Sequence, residues 1–88
     1  MELTIDKFFQ KAIEVHKLGK LEDAESLYTR ILQSHPRHPD TNYNMGELSA
    51  SVGKLEEALS FFKVAIEANP SRIEFWLSYI EALIQLGR

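Results

Sequence analysis

Cysteine is absent from this chain of 88 residues, so neither a disulfide framework nor a thiolate metal site can form. The absence fits a reducing compartment, and we expect a cytoplasmic protein. Basic residues are also few, since 10 lysines and arginines stand against 13 acidic residues and leave a net charge of −3. No nucleic-acid partner is expected, because phosphates are bound by a basic surface.

Long apolar runs are missing as well. No stretch approaches the roughly 20 apolar residues that span a bilayer, so no membrane partner is expected. The first six residues, MELTID, are acidic and lack a charged leader followed by an apolar segment, so no signal peptide is expected.

Chemistry-bearing groups are equally scarce. His35 and His38 flank a proline turn without a nearby carboxylate cluster, so we expect neither a metal site nor another cofactor. His16 is interpreted as a solvated helix residue. No serine stands in a nucleophile-elbow context and no glycine-rich phosphate loop is present, so no catalytic residue is predicted.

The chain does contain an internal repeat. Residues 19–24 read GKLEDA, residues 53–58 read GKLEEA, and residues 87–88 begin the pattern a third time. Both steps are 34 residues long, and Tyr28 and Phe62 keep the same offset. A period of this length is typical of helical-repeat architectures.

The apolar residues recur with the period of α-helices, and glycine and proline separate the segments. The predicted helices cover residues 5–18, 21–34, 39–52, 55–68 and 71–86. Thr4 is the expected cap of the first helix, while Ser71 and Glu74 form a capping-box pattern at the fifth. Short loops predict that successive helices lie antiparallel.

The residues within each unit resemble the tetratricopeptide repeat (TPR) family. The first repeat matches the family pattern with Phe8, Lys11, Ala12, Val15, Ala24, Tyr28, Ile31 and Pro36. The second matches with Asn42, Met45, Gly46, Ser49, Ala58, Phe62, Ala65 and Pro70. A half-repeat matches with Trp76, Tyr79, Ile80, Leu83 and Gly87.

The resemblance implies an all-α fold of five helices in a right-handed superhelical stack of antiparallel hairpins. Repeat one would cover residues 5–38, repeat two 39–72 and the half-repeat 73–88. Small residues, Ala12 and Gly46, would let the helices of a hairpin cross closely, and the aromatic position would fill the space between hairpins. Ile80 departs from the family's glycine or alanine. The pattern favours a piece of a longer protein, and the alternative is a natural end capped by the fifth helix.

The resemblance also implies a concave groove that holds an extended peptide. The predicted groove residues are Phe9, Gln10, Ile13, Tyr43, Asn44, Glu47, Leu77, Ser78 and Glu81. Phe9, Tyr43 and Leu77 would form an apolar rail. The full row of groove positions on the three helices extends beyond these nine residues, and its charged members are Asp6, Asp40, Glu47, Glu74 and Glu81 against Lys17. We therefore expect a protein or peptide partner with basic and apolar side chains, and the alternative is an ordinary solvated face.

Two binding modes of the family match poorly. Of the clamp that holds a C-terminal carboxylate in chaperone-binding members, only Asn44 is present, and Glu74 stands in a cation position. The asparagine ladder of glycosyltransferase-linked stacks corresponds to Gln10, Asn44 and Ser78. The resemblance implies an interaction scaffold without catalysis. The alternative is an N-terminal arm that recruits substrate for a larger enzyme, such as a glycosyltransferase or other transferase.

The fifth predicted helix is apolar on more than one side. Trp76, Ile80, Leu83 and Ile84 would form a patch too large for a monomer to leave in water. The sequence therefore predicts a homodimer through the last helix, formed either by this patch or by a swap of the helix between two copies.

Overall fold

Five α-helices follow one another in the computed structural model, which describes residues 4–88. They are α1 (Ile5–Lys17), α2 (Leu21–Ser34), α3 (Pro39–Ser51), α4 (Leu55–Ala68) and α5 (Ile73–Gln85). The described residues contain no strand, and none of their helices is long and apolar enough to cross a membrane. The predicted bounds of α2 and α4 are confirmed. By contrast, α1, α3 and α5 each end one residue early, and α5 also begins two residues late.

Three glycines end α1, α3 and α5 in the same way. Gly19, Gly53 and Gly87 have φ angles of 81°, 82° and 77°, in the left-handed region that glycine enters without a Cβ penalty. The residue after each glycine then donates its backbone N–H to the carbonyl of the residue five positions before it in the chain, as from Arg88 to Leu83 at 2.9 Å. The sequence repeat is therefore a repeat of one helix-ending turn.

Contacts between helix ends show that neighbouring helices run antiparallel. Arg30, near the end of α2, lies 5.3 Å from the ring centroid of Phe8, near the start of α1. Phe75, near the start of α5, packs with Ala65, near the end of α4. Because α3 also contacts α5, the first helices of successive hairpins lie side by side.

Two aromatic side chains fill the core between hairpins, as predicted. Tyr28 of α2 is fully buried and packs with Ala12 of α1 and Met45 of α3. Phe62 of α4 is buried and packs with Ala82 of α5. The aromatic position in each repeat therefore joins one hairpin to the next.

A polar side chain fastens each proline turn to the helix that follows it. Nδ2 of Asn42 donates to the carbonyl of Pro36 at 3.1 Å, and Nε1 of Trp76 donates to the carbonyl of Pro70 at 2.8 Å. The two donors are 34 residues apart, as are the two acceptors. An amide and an indole therefore fill the same structural role, which apolar periodicity does not reveal.

The predicted capping box of α5 is wrong. Oγ of Ser71 donates to Oδ1 of Asn69 at 2.8 Å, and Arg72 is the N-cap residue, without a capping side-chain hydrogen bond. Glu74 instead accepts from Arg72 at 3.0 Å. Arg72 also donates to Asp40 of α3 at 2.9 Å. The start of α5 is therefore held by an ion-pair network that includes another helix.

His16 is tied to the core rather than freely solvated. Its Nδ1 lies 2.9 Å from the hydroxyl of Tyr28, and the two rings meet edge to face with centroids 5.8 Å apart. The interpretation of His16 as a solvated residue is therefore wrong, because the rotation of α1 turns this ring toward α2.

Burial raises the pKa of Tyr28 from 10.0 to about 12, because desolvation disfavours the phenolate. Because the pKa of Tyr28 is higher in the folded state than in the unfolded state, ionisation favours unfolding. The free energy of unfolding therefore keeps its full value below pH 10 and falls as the pH rises toward 12. We expect the free energy of unfolding to fall by up to about 2 kcal/mol across that range. Urea unfolding at alkaline pH measures the fall.

Tyr28→Phe is the control for this prediction. The variant should lose the latest step of an ultraviolet absorbance titration, and its stability should depend less on alkaline pH. The interpretation fails if that late step persists in the variant, since another tyrosine would then be responsible for it.

Candidate functional site

A small cavity of about 90 Å³ opens where α3, α4 and α5 meet. Polar residues and alanines line it from α3 and α5, whereas α4 contributes only apolar residues. The lining residues are Glu47, Ala50, Leu55, Phe62, Ser78, Glu81, Ala82 and Gln85. Three of the predicted groove residues, Glu47, Ser78 and Glu81, therefore meet at one place.

A chain of hydrogen bonds links α3 to α5 beside this cavity. Oγ of Ser78 donates to Oε1 of Glu47 at 2.6 Å, and the hydroxyl of Tyr43 lies 3.1 Å from the same Oγ. Since Ser78 has one proton and gives it to the carboxylate, the hydroxyl of Tyr43 is the donor in the second bond. Burial raises the pKa of Tyr43, which keeps this donor protonated.

Aromatic packing fixes the position of Tyr43. Its ring centroid lies 4.8 Å from that of Phe75 and 5.7 Å from that of Phe62. The tyrosine is therefore held between α4 and α5, and its hydroxyl is directed to Ser78 by rings on both helices.

Two carboxylates at the cavity, those of Glu47 and Glu81, have no cationic partner among the ion pairs of residues 4–88. Oε1 of Glu81 accepts a long hydrogen bond of 3.4 Å from Gln85. Carboxylates in such surroundings favour ammonium and guanidinium groups, which donate charge-assisted hydrogen bonds. The chemistry of the cavity therefore suits a basic side chain.

Arg72 reduces the acidity at the other end of this face. It pairs with Asp40 at 2.9 Å and with Glu74 at 3.0 Å, and the guanidinium lowers the pKa of Glu74. The sequence-based charge count left this arginine out, so the face is one unit less negative than predicted. Its position directly before α5 was the signal that could have found it. One guanidinium balances only one of these two carboxylates, so the face stays acidic, and the negative charge beside the cavity belongs to Glu47 and Glu81.

The α1 members of the predicted groove lie away from the cavity. Phe9 is half-buried, with its ring centroid 6.4 Å from that of Tyr28 and 5.5 Å from that of His38. Gln10 is exposed and Ile13 is half-buried. Phe9 therefore contributes to core packing, and any binding role of the α1 residues stays a prediction.

Asn44 and Leu77 also lie outside the cavity. Nδ2 of Asn44 donates to the carbonyl of Asp40 within its own helix at 2.8 Å. Leu77 is 60% exposed, and helical spacing places it on the same side of α5 as Ile80 and Ile84. Of the predicted apolar rail, Phe9 and Tyr43 pack inward while Leu77 is open to solvent.

The four residues predicted for self-association differ in exposure. Trp76, Ile80 and Ile84 are 43%, 47% and 69% exposed. Leu83 is half-buried and packs against the cluster that contains Phe62. Trp76, Ile80 and Ile84 are therefore accessible to a partner, and self-association stays a prediction.

Comparison with known proteins shows a likeness to protein O-mannosyl-transferase TMTC2 of Mus musculus. The two sequences are 34% identical over 76 residues, which cover 83% of this chain. The same stretch is 9% of the transferase, so the chain spans less than a tenth of the length of this curated relative. No family model matches the chain. The likeness therefore concerns a small part of a transferase, and a cytoplasmic location stays a prediction.

Proposed function

We propose that this chain is a tetratricopeptide-type module that binds an extended segment of a partner protein across α1, α3 and α5 and performs no catalysis itself. The 34-residue period, the matching glycine turns and the buried aromatic residue between hairpins support this assignment. In this proposal the hairpins continue the superhelical stacking of the family, and the cavity between α3 and α5 is part of the concave face.

The cavity is the observation that carries the proposal. Glu47 and Glu81 stand beside apolar groups of Ala50, Leu55 and Ala82. A lysine or arginine combines an apolar stem with a charged head, so its stem can contact the apolar wall while its head meets the carboxylates. The ligand is therefore a segment with basic side chains and apolar neighbours.

The size of the electrostatic contribution follows from the exposure of the site. Ion pairs at solvent-accessible positions contribute roughly 0.2–1 kcal/mol each, which corresponds to up to about a fivefold change in affinity. Salt screens such pairs, with a Debye length of about 8 Å at physiological ionic strength. Binding should therefore be moderate and should weaken as salt is added.

Two synthetic peptides that differ only in charge test this proposal. Both consist of leucine and alanine with charged residues at the same positions, lysine in one and glutamate in the other. We expect calorimetry to detect the lysine peptide alone. A chain carrying Glu47→Gln and Glu81→Gln should bind it about tenfold more weakly and with a smaller salt dependence.

Glu22→Gln with Glu57→Gln is the matched control, since both residues are exposed in the first turns of α2 and α4, away from the cavity. Each variant pair removes two charges, so the overall charge is equal. Equal affinity of the two variant pairs would overturn the proposed site, and equal binding of the glutamate peptide would overturn the charge preference.

The likeness to a transferase favours a second function, in which the chain recruits substrate as an arm of a larger enzyme. The relative's name describes an O-mannosyl-transferase, and the matched stretch is 9% of its length. An antibody raised against this chain tests the idea in a cell extract. A band much larger than 10.1 kDa whose peptides include a transferase domain would support the arm. Detection of a 10.1 kDa species alone would rule it out.

A further inference from the structure

The outer side of α5 carries a continuous aliphatic stripe. It consists of Ile73, Leu77, Ile80 and Ile84, which are 70%, 60%, 47% and 69% exposed. Spacings of four, three and four residues place them on one side of the helix, and the buried Phe75 and Ala82 lie on the other. We call these four residues the α5 stripe.

We propose that the α5 stripe is the interface of a homodimer in which α5 of one copy packs antiparallel to α5 of a second copy. The spacing reads the same in both directions along the helix. A two-fold axis between residues 78 and 79 therefore sets Ile73 opposite Ile84, and Leu77 opposite Ile80. Each aliphatic side chain meets an aliphatic side chain, as a self-complementary contact requires, and the spacing is that of helix–helix seams.

The size of Ile80 argues for a second copy rather than for a helix that packs as α4 does. The equivalent positions in the earlier repeats are Ala12 and Gly46, both buried beneath the following helix. A Cβ at Gly46 would lie within 3.0 Å of three ring atoms of Phe62. Ile80 excludes so close a crossing, whereas two large aliphatic surfaces suit the 8–10 Å separation of ordinary helix pairs.

The exposed area also suits a dimer. The α5 stripe and the neighbouring Trp76, which is 43% exposed, present roughly 600 Å² per chain, the upper end for a patch on a monomer. Stable dimers bury about 800 Å² per partner, and side chains flanking the stripe would supply part of the difference. None of the stripe residues lines the cavity between α3 and α5. Leu77 is shared with the predicted groove, so the variants that test dimerisation change Ile73, Ile80 and Ile84 and leave Leu77 intact.

Sedimentation equilibrium of the 88-residue chain between about 1 μM and 1 mM is the first test. We expect the mass to rise from 10.1 kDa toward twice that value. Ile80→Glu should raise the dissociation constant at least about 100-fold, because each dimer would bury two unpaired carboxylates. Val52→Glu is the matched control, since Val52 is 48% exposed and lies outside the stripe, and it should dimerise as the wild type does.

Single cysteines test the antiparallel register, because the chain has none of its own. Under mild oxidation, a mixture of the Ile73→Cys and Ile84→Cys chains should form the mixed disulfide, and neither chain alone should cross-link efficiently. Circular dichroism confirms that each variant is folded. Cross-linking of each variant with itself but not in the mixture would indicate a parallel pair and overturn the proposal. A monomer at every concentration would assign the stripe to a different partner and overturn it as well.

Discussion

Phe62→Ala is expected to lower the free energy of unfolding by about 3–5 kcal/mol, the range for truncating a buried phenylalanine. The ring is 1% exposed and packs with Ala58, Leu59 and Ala82 in the cluster that joins α4 to α5. It also contacts the ring of Tyr43 on α3. Removing it leaves a cavity where three helices meet, and close packing around the site limits how far they can collapse into it. Urea unfolding followed by circular dichroism measures the loss.

Phe61→Ala is the matched control, because Phe61 is the neighbouring residue of α4 and is only half-buried. Its truncation should cost about 1–2 kcal/mol, in proportion to the apolar area that it buries. Domains are stable by only about 5–15 kcal/mol, so Phe62→Leu provides a milder variant that remains measurable. A loss at Phe62 no larger than the loss at Phe61 would contradict its central position in the core.

Gly46→Ala is expected to destabilise the protein by about 1–3 kcal/mol, although alanine is the better helix former by about 1 kcal/mol. The added Cβ would lie within 3.0 Å of three atoms of the Phe62 ring. That ring is buried among helices on several sides and cannot move away cheaply. Overpacking therefore outweighs the gain in helix propensity, and thermal unfolding of the single variant measures the net effect.

A double-mutant cycle isolates this contact from other consequences of the substitution. In a chain that already carries Phe62→Ala, the new methyl group has space, so Gly46→Ala should become neutral or stabilising by up to about 1 kcal/mol. The sign of the effect should thus reverse between the two backgrounds. The same destabilisation in both would show that strain at Gly46 has a source other than the ring.

The close contact between Gly46 and Phe62 also explains why Ile80 alters helix packing in the half-repeat of residues 73–88. The position 34 residues after Gly46 carries a branched side chain that is 47% exposed. Its surroundings are therefore not those of the second hairpin, where the ring on α4 needs a glycine opposite it. The substitution converts a close-crossing surface into a broad apolar one, which is the basis of the proposed dimer.

Much of the fold follows from short-range features of the sequence. The 3.6-residue periodicity locates the five helices of residues 4–88, and Gly19, Gly53 and Gly87 mark three of their ends to within one residue. The largest difference in the bounds is at the start of α5, where the N-cap residue Arg72 donates to Asp40 of α3. The predicted capping box spans only residues 71–74, so it contains no information about Asp40, which lies 32 residues before Arg72 in the sequence.

The sequence by itself determined the repeat, the helices and their turns, because these depend on backbone hydrogen bonds and glycine conformations within a few residues. Only the tertiary structure decided which polar groups meet. The rotation of α3 and α5 about their axes brings Glu47 to Ser78 and leaves Leu77 in solvent. That rotation is set by how buried side chains interlock across helices, as Phe62 does against Gly46, and a small change in it would redirect every side chain on the face.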